Sequence, residues 1–434
     1  MKSLLRIIED GQEEFLDDLA RRKADDLDRV SADAAEIIAR VRSGGDRALS
    51  ELTEKFDRVR LEPAAFMVGR QEIESAANKV DPVLARDLEK AYGRILDYHR
   101  RQLPNSWFHT GEDGEILGQR VLPVDSAAIY APGGKAAYPS SVLMGAGAAV
   151  AAGVKRIVLF SPPGREGALN PAVFFCARLA GIGEVYRLGG AQAIAAAAYG
   201  TQSVSPVDVI AGPGNIYVTA AKKLVFGKVG IDMLAGPSEV LVLADSSAEP
   251  AFAAADLLSQ AEHDERAGCI LVTTSRELAE KVANELHTRL EALPKAAIAR
   301  KAVTDFSAAL IARDIDHAAG LANRFAPEHL EIMTADPWAV LGLIRHAGAV
   351  FLGPWTPEPV GDYWAGPNHV LPTGGSARVF SPLGVEVFLR RSSLIAFNRE
   401  AFLRAAGPVA RLARAEGLEA HARSIEARDI TEKK

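Results

Sequence analysis

The 434-residue sequence has little cysteine, no excess of basic residues and no long apolar run. Its two cysteines, Cys176 and Cys269, lie inside apolar segments, which predicts buried thiols and a reducing, cytoplasmic environment. A formal net charge of -6 argues against a nucleic acid as the main partner. Because no apolar run could span a bilayer and acidic residues closely follow the N-terminus, neither a membrane protein nor a secretory signal is expected.

The sequence also lacks the G-x-G-x-x-G fingerprint of dinucleotide-binding sheets. The nearest match, Gly181 and Gly183, has no third glycine and precedes a strand pattern instead of following one. Glycine-rich turns do follow three predicted strands, at residues 130–134, 189–192 and 211–215. Any one of them is equally well explained by a tight turn that needs a positive φ. Three in one small sheet modestly favour a cofactor close to the backbone.

What the chain does contain is an alternation of short apolar runs with helical patterns. The composition, 48% hydrophobic and 24% charged, is that of a globular protein long enough for two or three domains. Strands are predicted at residues 127–130, 156–160, 184–188, 207–210, 240–243, 269–272, 308–311, 330–333 and 349–352. Helical patterns separate them, so the predicted fold class is α/β, with two Rossmann-like parallel-sheet domains. The strand order is not predicted.

The alternation divides the chain into segments with a helical arm and a helical tail. We predict an N-terminal arm (1–22), a main α/β domain (23–130 and 237–382), an inserted Rossmann-like domain (131–236) and a C-terminal helical tail (383–434). Five prolines exclude a helix from residues 353–375. This loop carries two tryptophans, a tyrosine, Asp362 and His369, so we predict a functional loop and not a disordered one.

A polar pair closes a helix that is predicted to begin near Pro250. Gln260 and His263 are three residues apart and share one helix face, just before a buried strand. Two interpretations are open at this point. His263 caps the last carbonyls of its own helix, which is common, or the pair contributes to a metal or substrate site. The second interpretation requires further imidazoles or carboxylates from elsewhere in the chain.

Three other places supply such groups. Glu328 and His329 are adjacent and could serve as two separate acid/base groups, although such pairs are more often solvated. The loop adds Asp362 and His369, and the tail adds Glu416 and His421. A zinc ion accepts ligands of these types, and a set of four could come from Gln260, His263, Asp362 and His421. No compact ligand spacing supports that set. No role is assigned to the remaining histidines, His99, His109, His287, His317 and His346.

Four segments together carry a resemblance to a known family. Residues 235–239 (Ala-Gly-Pro-Ser-Glu), 258–264 (Leu-Ser-Gln-Ala-Glu-His-Asp), 326–330 (Ala-Pro-Glu-His-Leu) and 361–373 (Gly-Asp-Tyr-Trp-Ala-Gly-Pro-Asn-His-Val-Leu-Pro-Thr) resemble the histidinol dehydrogenases. The resemblance extends over about residues 33–428, and the combined motifs are highly specific. It implies a cytoplasmic, zinc- and NAD-dependent oxidoreductase. That enzyme oxidises L-histidinol through L-histidinal to L-histidine with two NAD+, the last step of histidine biosynthesis.

The resemblance also implies residue roles. It places the catalytic acid/base pair on Glu328 and His329, and one zinc ion per subunit on Gln260, His263, Asp362 and His421. It implies substrate contacts by these ligands and by Ser238, His329, His369 and Glu416. It implies NAD contacts in the inserted domain by Tyr130, Gln192 and Asn215. It further implies a homodimer in which the tail of one subunit enters the active site of the other.

One stretch departs from the family pattern. Residues 145–149 read Gly-Ala-Gly-Ala-Ala where relatives usually carry larger residues and a proline, which leaves open how the helix beside the cofactor packs. Two other functions remain as alternatives. A relative of this family could oxidise another polar alcohol such as a sulfonated diol, or a zinc hydrolase could use Glu328 to activate metal-bound water. The first would be expected to lose His369, Glu416 and His421, which are present.

Overall fold

The computed structural model describes residues 4–133 and 138–428, and they form two compact units. The first unit comprises Met1–Gln102 and Val124–Phe388. The second comprises Leu103–Pro123 and Leu389–Lys434. The predicted glycine-rich turn at 130–134, the arm and the tail each extend partly outside the described residues.

A six-stranded parallel sheet organises one part of the first unit. Its strand order is β1-β11-β10-β9-β12-β13, with β9 and β12 neighbours near its centre. The central strands are continuous apolar runs, as expected for a parallel sheet covered on both faces. The strands are β1 (Arg6–Ile8), β9 (Glu239–Ala244), β10 (Gly268–Thr273), β11 (Ala308–Ile311), β12 (His329–Met333) and β13 (Ala349–Leu352).

A second, five-stranded parallel sheet has the order β6-β5-β4-β7-β8. Its order reverses direction at β4, from which the chain runs to β5 on one side and β7 lies on the other. Ligands of open α/β sheets bind at such a reversal, beyond the carboxyl ends of the strands. The strands are β4 (Ser126–Tyr130), β5 (Arg156–Phe160), β6 (Glu184–Tyr186), β7 (Val209–Ala211) and β8 (Gly230–Ile231).

Helices connect and cover the two sheets. Those of the first unit are α1 (Gln12–Asp57), α2 (Arg70–Ala77), α3 (Pro82–Arg100), α4 (Pro139–Ala152), α5 (Pro171–Leu179), α6 (Gly190–Tyr199), α7 (Ile216–Val225), α8 (Pro250–Ala261), α9 (Arg276–Leu290), α10 (Ala296–Phe306), α11 (Ile315–Phe325), α12 (Pro337–Leu341) and α13 (Glu358–Val360). Helix α4 is almost entirely buried because its small residues allow close approach. A Cβ on Gly147 would stand 2.5 Å from Ile95 of α3. The glycines at 145 and 147 therefore permit tight packing.

Two predictions of local structure need correction. The arm is not purely helical, because β1 joins the six-stranded sheet beside β11, and α1 continues across residue 22 to Asp57 with a kink at Gly45. The proline-rich loop does contain helix. The turn α13 begins directly after Pro357 and continues as a π-helical turn, Gly361–Ala365. Proline fits the first turn of a helix, whose N–H groups lack intrahelical partners.

The second unit contains a three-stranded antiparallel sheet and two helices. Strand β14 (Leu389–Ala396) pairs with β3 (Ile116–Pro123), which pairs with β2 (Trp107–Thr110), and α14 (Arg399–Ala415) and α15 (Glu419–Glu426) follow. The C-terminal tail, predicted as helical over residues 383–434, therefore contains the strand β14 before its two helices. Its partner strand β3 lies about 270 residues earlier in the chain. The extended conformation of β14 therefore depends on pairing with a distant segment and not on a pattern in its own sequence.

The α/β fold class with two parallel sheets is confirmed. Both cysteines are buried, as predicted. Among the described residues no helix is both long and apolar enough to cross a membrane. The domain boundaries at 22, 130, 236 and 382 stay predictions.

Candidate active site

A cavity of about 570 Å³ opens in the first unit, and residues at one edge of each of its two parallel sheets line it. Ser238, Glu328 and His329 line it from the amino ends of β9 and β12, since these residues immediately precede or begin the strands. Pro213 and Asn215 line it from beyond the carboxyl end of β7. Only the second of these edges follows the usual rule for parallel sheets.

The amino end of β9 holds both members of the predicted acid/base pair. The backbone N–H of Glu239 donates to Oε2 of Glu328 at 2.8 Å, and Nδ1 of His329 donates to the Glu239 carbonyl at 2.9 Å. In its neutral form the His329 ring therefore carries its proton on Nδ1, and Nε2 is the nitrogen that can accept a second proton. Nε2 is buried and has no hydrogen-bond partner among the described residues. An orphaned acceptor that lines a cavity is suited to a ligand's hydroxyl.

The two side chains have strongly shifted pKa values for different reasons. Burial raises the pKa of Glu328 to about 8, against the opposing charge of His329. Burial acts to lower the pKa of His329, but Glu328, Asp362 and Glu358 together outweigh it and raise the value to about 10. Nδ1 of His329 lies 3.7 Å from Oε2 of Glu328. Pairs of titratable groups with shifted pKa values in a cavity are typical of sites for proton transfer.

Asp362 connects this pair to the second predicted loop residue, His369. Its Oδ1 lies 3.7 Å from Nε2 of His329, and its Oδ2 lies 3.9 Å from Nδ1 of His369. Burial acts to raise the pKa of Asp362, but contact with the histidines lowers it overall, so this carboxylate is ionised. Burial lowers the pKa of His369, although Asp362 opposes the effect. The loop therefore brings an ionised carboxylate between two imidazoles.

Gln260 and His263 lie in the wall of the same cavity, at the end of α8. With its amide nitrogen facing Glu358, Gln260 donates to both carboxylate oxygens at 3.2 and 3.1 Å, which turns its own carbonyl oxygen away from Glu358. His263 lies two residues beyond Ala261, the last residue of α8, and no hydrogen bond from its ring to a carbonyl of that helix is found in the described residues. The capping interpretation is thus not supported. Burial lowers the pKa of His263, and Asp362 opposes this.

A carboxylate that sequence reasoning missed, Glu358, completes the cluster. It is buried at the start of α13, accepts from the Ser259 hydroxyl at 2.9 Å, and has a pKa raised by burial to about 7. One ligand atom each from His329, Glu358 and Asp362 lies within 4.8 Å of the others, a spacing that could hold a metal ion. This trio overlaps the predicted ligand set only at Asp362. Glu358 lies four residues before Asp362, and two residues at this spacing share one face of a helical turn. That spacing is the signal in the sequence that could have identified Glu358.

The predicted cofactor residues occupy different surroundings. Asn215 lines the cavity and caps α7 by accepting from the N–H groups of Tyr217 and Val218 at 3.0 and 3.1 Å. Tyr130 and Gln192 are buried instead. The Tyr130 hydroxyl accepts from the Gly190 N–H at 3.0 Å, and Gln192 is within 3.4 Å of an Asp57 oxygen.

A buried ion pair shapes the glycine-rich turn that carries Asn215. Lys222 donates to the Gly212 carbonyl at 3.0 Å, Asp232 accepts from the Gly212 N–H at 2.8 Å, and the two charged groups contact each other. Gly212 has a φ of 119°, and a Cβ there would lie 2.1 Å from the Tyr130 carbonyl. Only glycine fits this position. Both backbone polar groups of Gly212 therefore have buried, charged partners, which fixes the turn.

The remaining two predicted residues belong to the second unit. Glu416 ends α14 and His421 lies in α15, and both are exposed. The residues that line the cavity come from the first unit. The first unit thus brings together Ser238, Gln260, His263, Glu328, His329, Asp362 and His369, and Glu416 and His421 are not among the residues that line the cavity.

Comparison with known proteins identifies the family of the chain. The family model described as "Histidinol dehydrogenase" matches residues 20–429. The histidinol dehydrogenase of Moorella thermoacetica is 54% identical over 92% of this chain and 94% of its own, and that of Bacillus subtilis is 53% identical over 91% and 92%. The chain belongs to the histidinol dehydrogenase family. A crystal structure of histidinol dehydrogenase from Elizabethkingia anophelis matches with a TM-score of 0.87, 36% identity and 92% coverage of both chains.

Membership of the histidinol dehydrogenase family makes the protein an oxidoreductase and gives the buried cluster a context. Two residues have positions in the fold that the sequence did not predict. Glu239 lies inside one of the motifs that carried the resemblance, yet its backbone role appears only when β9 and β12 are paired. His99 was assigned no role, and it proves to be fully buried.

Proposed function

We propose that the protein oxidises L-histidinol through L-histidinal to L-histidine with two NAD+, the last step of histidine biosynthesis. The observation that carries this proposal is the convergence of Glu328, His329, Asp362 and His369 with Gln260 in one cavity. An alcohol oxidation followed by an aldehyde oxidation requires one group that takes up a hydroxyl proton and one that activates water. The adjacent, separately held Glu328 and His329 meet both requirements.

The donor set fits a zinc ion, which we propose the cavity holds, one per subunit. Asp362 is ionised, His263 has a lowered pKa and so a neutral ring, and Glu358 orients Gln260 with its oxygen free for a ligand bond. These are the protonation states that metal ligands need. His421 of a second subunit would complete the set. When bound, zinc would orient the substrate's imidazole and amine and withdraw electron density from its oxygen.

His329 performs the first proton transfer in this proposal. Its Nε2 accepts the hydroxyl proton of the alcohol while the hydride of the same carbon leaves to the nicotinamide of NAD+. Nδ1 stays bonded to the Glu239 carbonyl throughout and stabilises the imidazolium that forms. In the metal-free chain the neighbouring carboxylates raise the pKa of His329 to about 10. A zinc ion held by Asp362 would offset their charge and favour the neutral ring that accepts the proton.

Glu328 performs the step that needs water. In its carboxylate form, present above its raised pKa of about 8, it accepts a proton from the water molecule that adds to the aldehyde carbon. The His329 imidazolium returns its proton to the carbonyl oxygen in the same step, which yields the hydrated aldehyde and a neutral His329. His329 then takes a proton from the hydrate as the second hydride leaves to a second NAD+, and the product is the carboxylate of L-histidine. The Glu239 N–H holds Oε2 of Glu328 and leaves the other oxygen for water.

The cofactor and the partner subunit are parts of the same proposal. We propose NAD contacts by Asn215, which lines the cavity, and by Tyr130 and Gln192 near the turn where the Tyr130 hydroxyl accepts from the Gly190 N–H. The second unit exposes Trp107, Phe108 and Ile395 on its three-stranded sheet. Exposed aromatic area of this kind marks an interface. A second copy of the chain would bring Glu416 and His421 to the cavity and form a homodimer with shared sites.

The decisive experiment supplies purified protein with zinc, L-histidinol and NAD+, and follows NADH absorbance. Two NADH per histidinol and L-histidine as product are expected. NADH from a sulfonated diol but not from histidinol would favour the related alcohol dehydrogenase, and no NADH from either would favour the hydrolase. We also propose a cytoplasmic location with neither membrane nor nucleic acid as partner, consistent with two buried cysteines and a net charge of -6.

A further inference from the structure

His99 lies in the last turn of α3 and is completely buried, with 0% of its surface exposed. Both ring nitrogens have partners. Nδ1 lies 2.8 Å from Oε1 of Gln102, and Nε2 lies 3.1 Å from Nδ2 of Asn368. Asn368 is also buried and immediately precedes His369 in the loop. The helix thus reaches the loop through one imidazole and one amide.

Backbone groups fix the direction of these hydrogen bonds. The N–H of Val370 donates to Oδ1 of Asn368 at 3.0 Å, and Nδ2 of Asn368 donates to the Met144 carbonyl at 2.9 Å. Because a backbone N–H only donates and a carbonyl only accepts, the amide of Asn368 has one possible orientation. Nδ2 therefore donates its second hydrogen to His99, and Nε2 of His99 must be the acceptor.

The other side of the ring is fixed in the same way. Oε1 of Gln102 accepts from the Val385 N–H at 3.3 Å, so it must accept from Nδ1 of His99 as well. The ring is consequently neutral, with its hydrogen on Nδ1. Burial lowers the pKa of His99, against the opposing effects of Gln102 and Glu386, which agrees with a neutral ring.

Helix α3 contacts the same loop at two further points. The Arg94 guanidinium lies over the Trp364 ring, 5.0 Å from its centroid. A Cβ on Gly366, which has a φ of 111°, would stand 2.8 Å from the Arg94 carbonyl. Asn368 in turn ties the loop to α4 through Met144. Three segments therefore meet at Asn368, one residue before His369 enters the cavity.

We propose that His99 is a positioning residue: its unprotonated Nε2 holds Asn368 and thereby sets the place of His369 in the substrate site. The part of this inference that concerns substrate rests on the proposed function, in which His369 contacts histidinol. The part that concerns the position of the loop is independent of the proposed function. A mispositioned His369 would weaken substrate binding without removing a reacting group, since supporting residues act through those they orient.

Two substitutions of His99 separate its two hydrogen bonds. His99→Gln can place an oxygen near the position of Nε2 and keep an acceptor for Asn368. His99→Asn can place an amide nitrogen near the position of Nδ1 and keep a donor for Gln102, but its side chain is too short to reach Asn368. His287→Asn is a matched control, because His287 also lies in the last turn of an amphipathic helix, α9, but is exposed.

Hydrogen exchange measures the loop without any substrate. The Val370 amide is expected to exchange about tenfold or more faster in His99→Asn than in the wild type, and near the wild-type rate in His99→Gln and His287→Asn. An amide within β5 serves as an internal reference. Unchanged exchange at Val370 in a folded His99→Asn protein would overturn the proposal, whatever the enzyme's substrate is.

Calorimetric titration of the zinc-loaded protein with histidinol, without NAD+, measures substrate binding. The Kd is expected to rise about tenfold in His99→Asn and to recover in His99→Gln, while the KM for NAD+ stays within about twofold. Equal losses in both variants would overturn the substrate part. Wild-type protein that fails to bind histidinol would instead count against the proposed function, and the exchange result would still stand.

Asn368→Ala tests the same contact from the other side if His99→Asn does not fold. It is expected to raise the histidinol Kd by a similar factor. Where both single variants fold, the double variant should bind histidinol no more weakly than the worse single one, because the two residues act through one hydrogen bond. Independent, multiplying effects would show that His99 does not act through Asn368.

Discussion

Carboxylates paired with imidazoles occur in two regions of this protein, in opposite settings. In the first unit Glu328 and His329 are buried, each is bonded to Glu239, and both have shifted pKa values. In the second unit Glu416 and His421 are exposed on neighbouring helices. The buried pair has its chemistry set by its own chain. The exposed pair needs a covering surface before it can select a ligand, because water screens its charges.

In the proposed function this difference is a division of labour between a preorganised reaction centre and an element that completes it. The first unit supplies fixed hydrogen bonds and low dielectric, which proton transfer needs. The second supplies groups that would become desolvated only on association. Each of the following experiments separates the two regions or removes one feature that distinguishes them.

The largest effect is expected for His329→Asn, which removes the only acceptor atom aimed at the substrate hydroxyl in the proposed mechanism. The kcat for NADH formation from histidinol should fall by about a thousandfold, the range for loss of a general base. His287→Asn, at an exposed helix end, should leave kcat unchanged. A loss below about threefold in zinc-loaded His329→Asn would show that another group takes the proton.

Mixing subunits tests whether the second unit completes a neighbour's site. His263→Ala and His421→Ala proteins should each be nearly inactive. After equimolar subunit exchange about a quarter of wild-type activity should return, because half of the dimers are mixed and one of their two sites is intact. Exchange confirmed by a mass-tagged subunit, without recovery of activity, would mean that His421 serves its own chain. Mixtures of like variants are the control.

Glu328→Gln should separate the two oxidations at the buried pair. Oxidation of supplied L-histidinal, which needs an activated water, should slow by about a hundredfold. The first hydride transfer, measured in a single turnover with histidinol, should change by less than about threefold. Equal losses at both steps would remove Glu328 from its assignment as the base for water.

Glu358→Gln should weaken metal binding and leave the fold intact. Glu358 accepts two hydrogen bonds from Gln260, and a glutamine would allow the Gln260 amide to turn around. Zinc Kd, measured by competition with a chromophoric chelator, should rise about tenfold, as for other residues that orient a ligand. Glu54→Gln, on an exposed face of α1, should leave the Kd unchanged. An unaltered Kd in Glu358→Gln would exclude Glu358 from orienting Gln260.

The smallest effect concerns the stability of metal-free protein against pH. The pKa of Glu328 is about 8 in the folded chain and 4.5 as the ordinary value, so between these pH values the folded state binds more protons than the unfolded state. Stability therefore falls as pH rises from about 5 to 8. Glu328→Gln should reduce the drop in melting temperature between pH 5.5 and 8.5 by about 2–4 °C. An identical drop in wild type and variant would contradict a raised pKa.

Much of the fold was predictable because its pattern is local. Each predicted strand of the two parallel sheets lies within an observed strand or overlaps one, since buried parallel strands are continuous apolar runs. Strand β14 was not predictable in this way. Its residues are mostly exposed, and only pairing with β3 makes them extended. The strand order of each sheet likewise depends on contacts between distant segments.

The site divides along the same line. By itself the sequence determined which chemical groups are available and, through four motifs, the family to which they belong. Tertiary structure decided which groups meet and how they are protonated. Nothing near Glu328 in the chain foretells the Glu239 N–H, and nothing near Gln260 foretells Glu358, since these contacts span 89 and 98 residues. A pKa depends on burial and neighbouring charge, and both are properties of the folded chain alone.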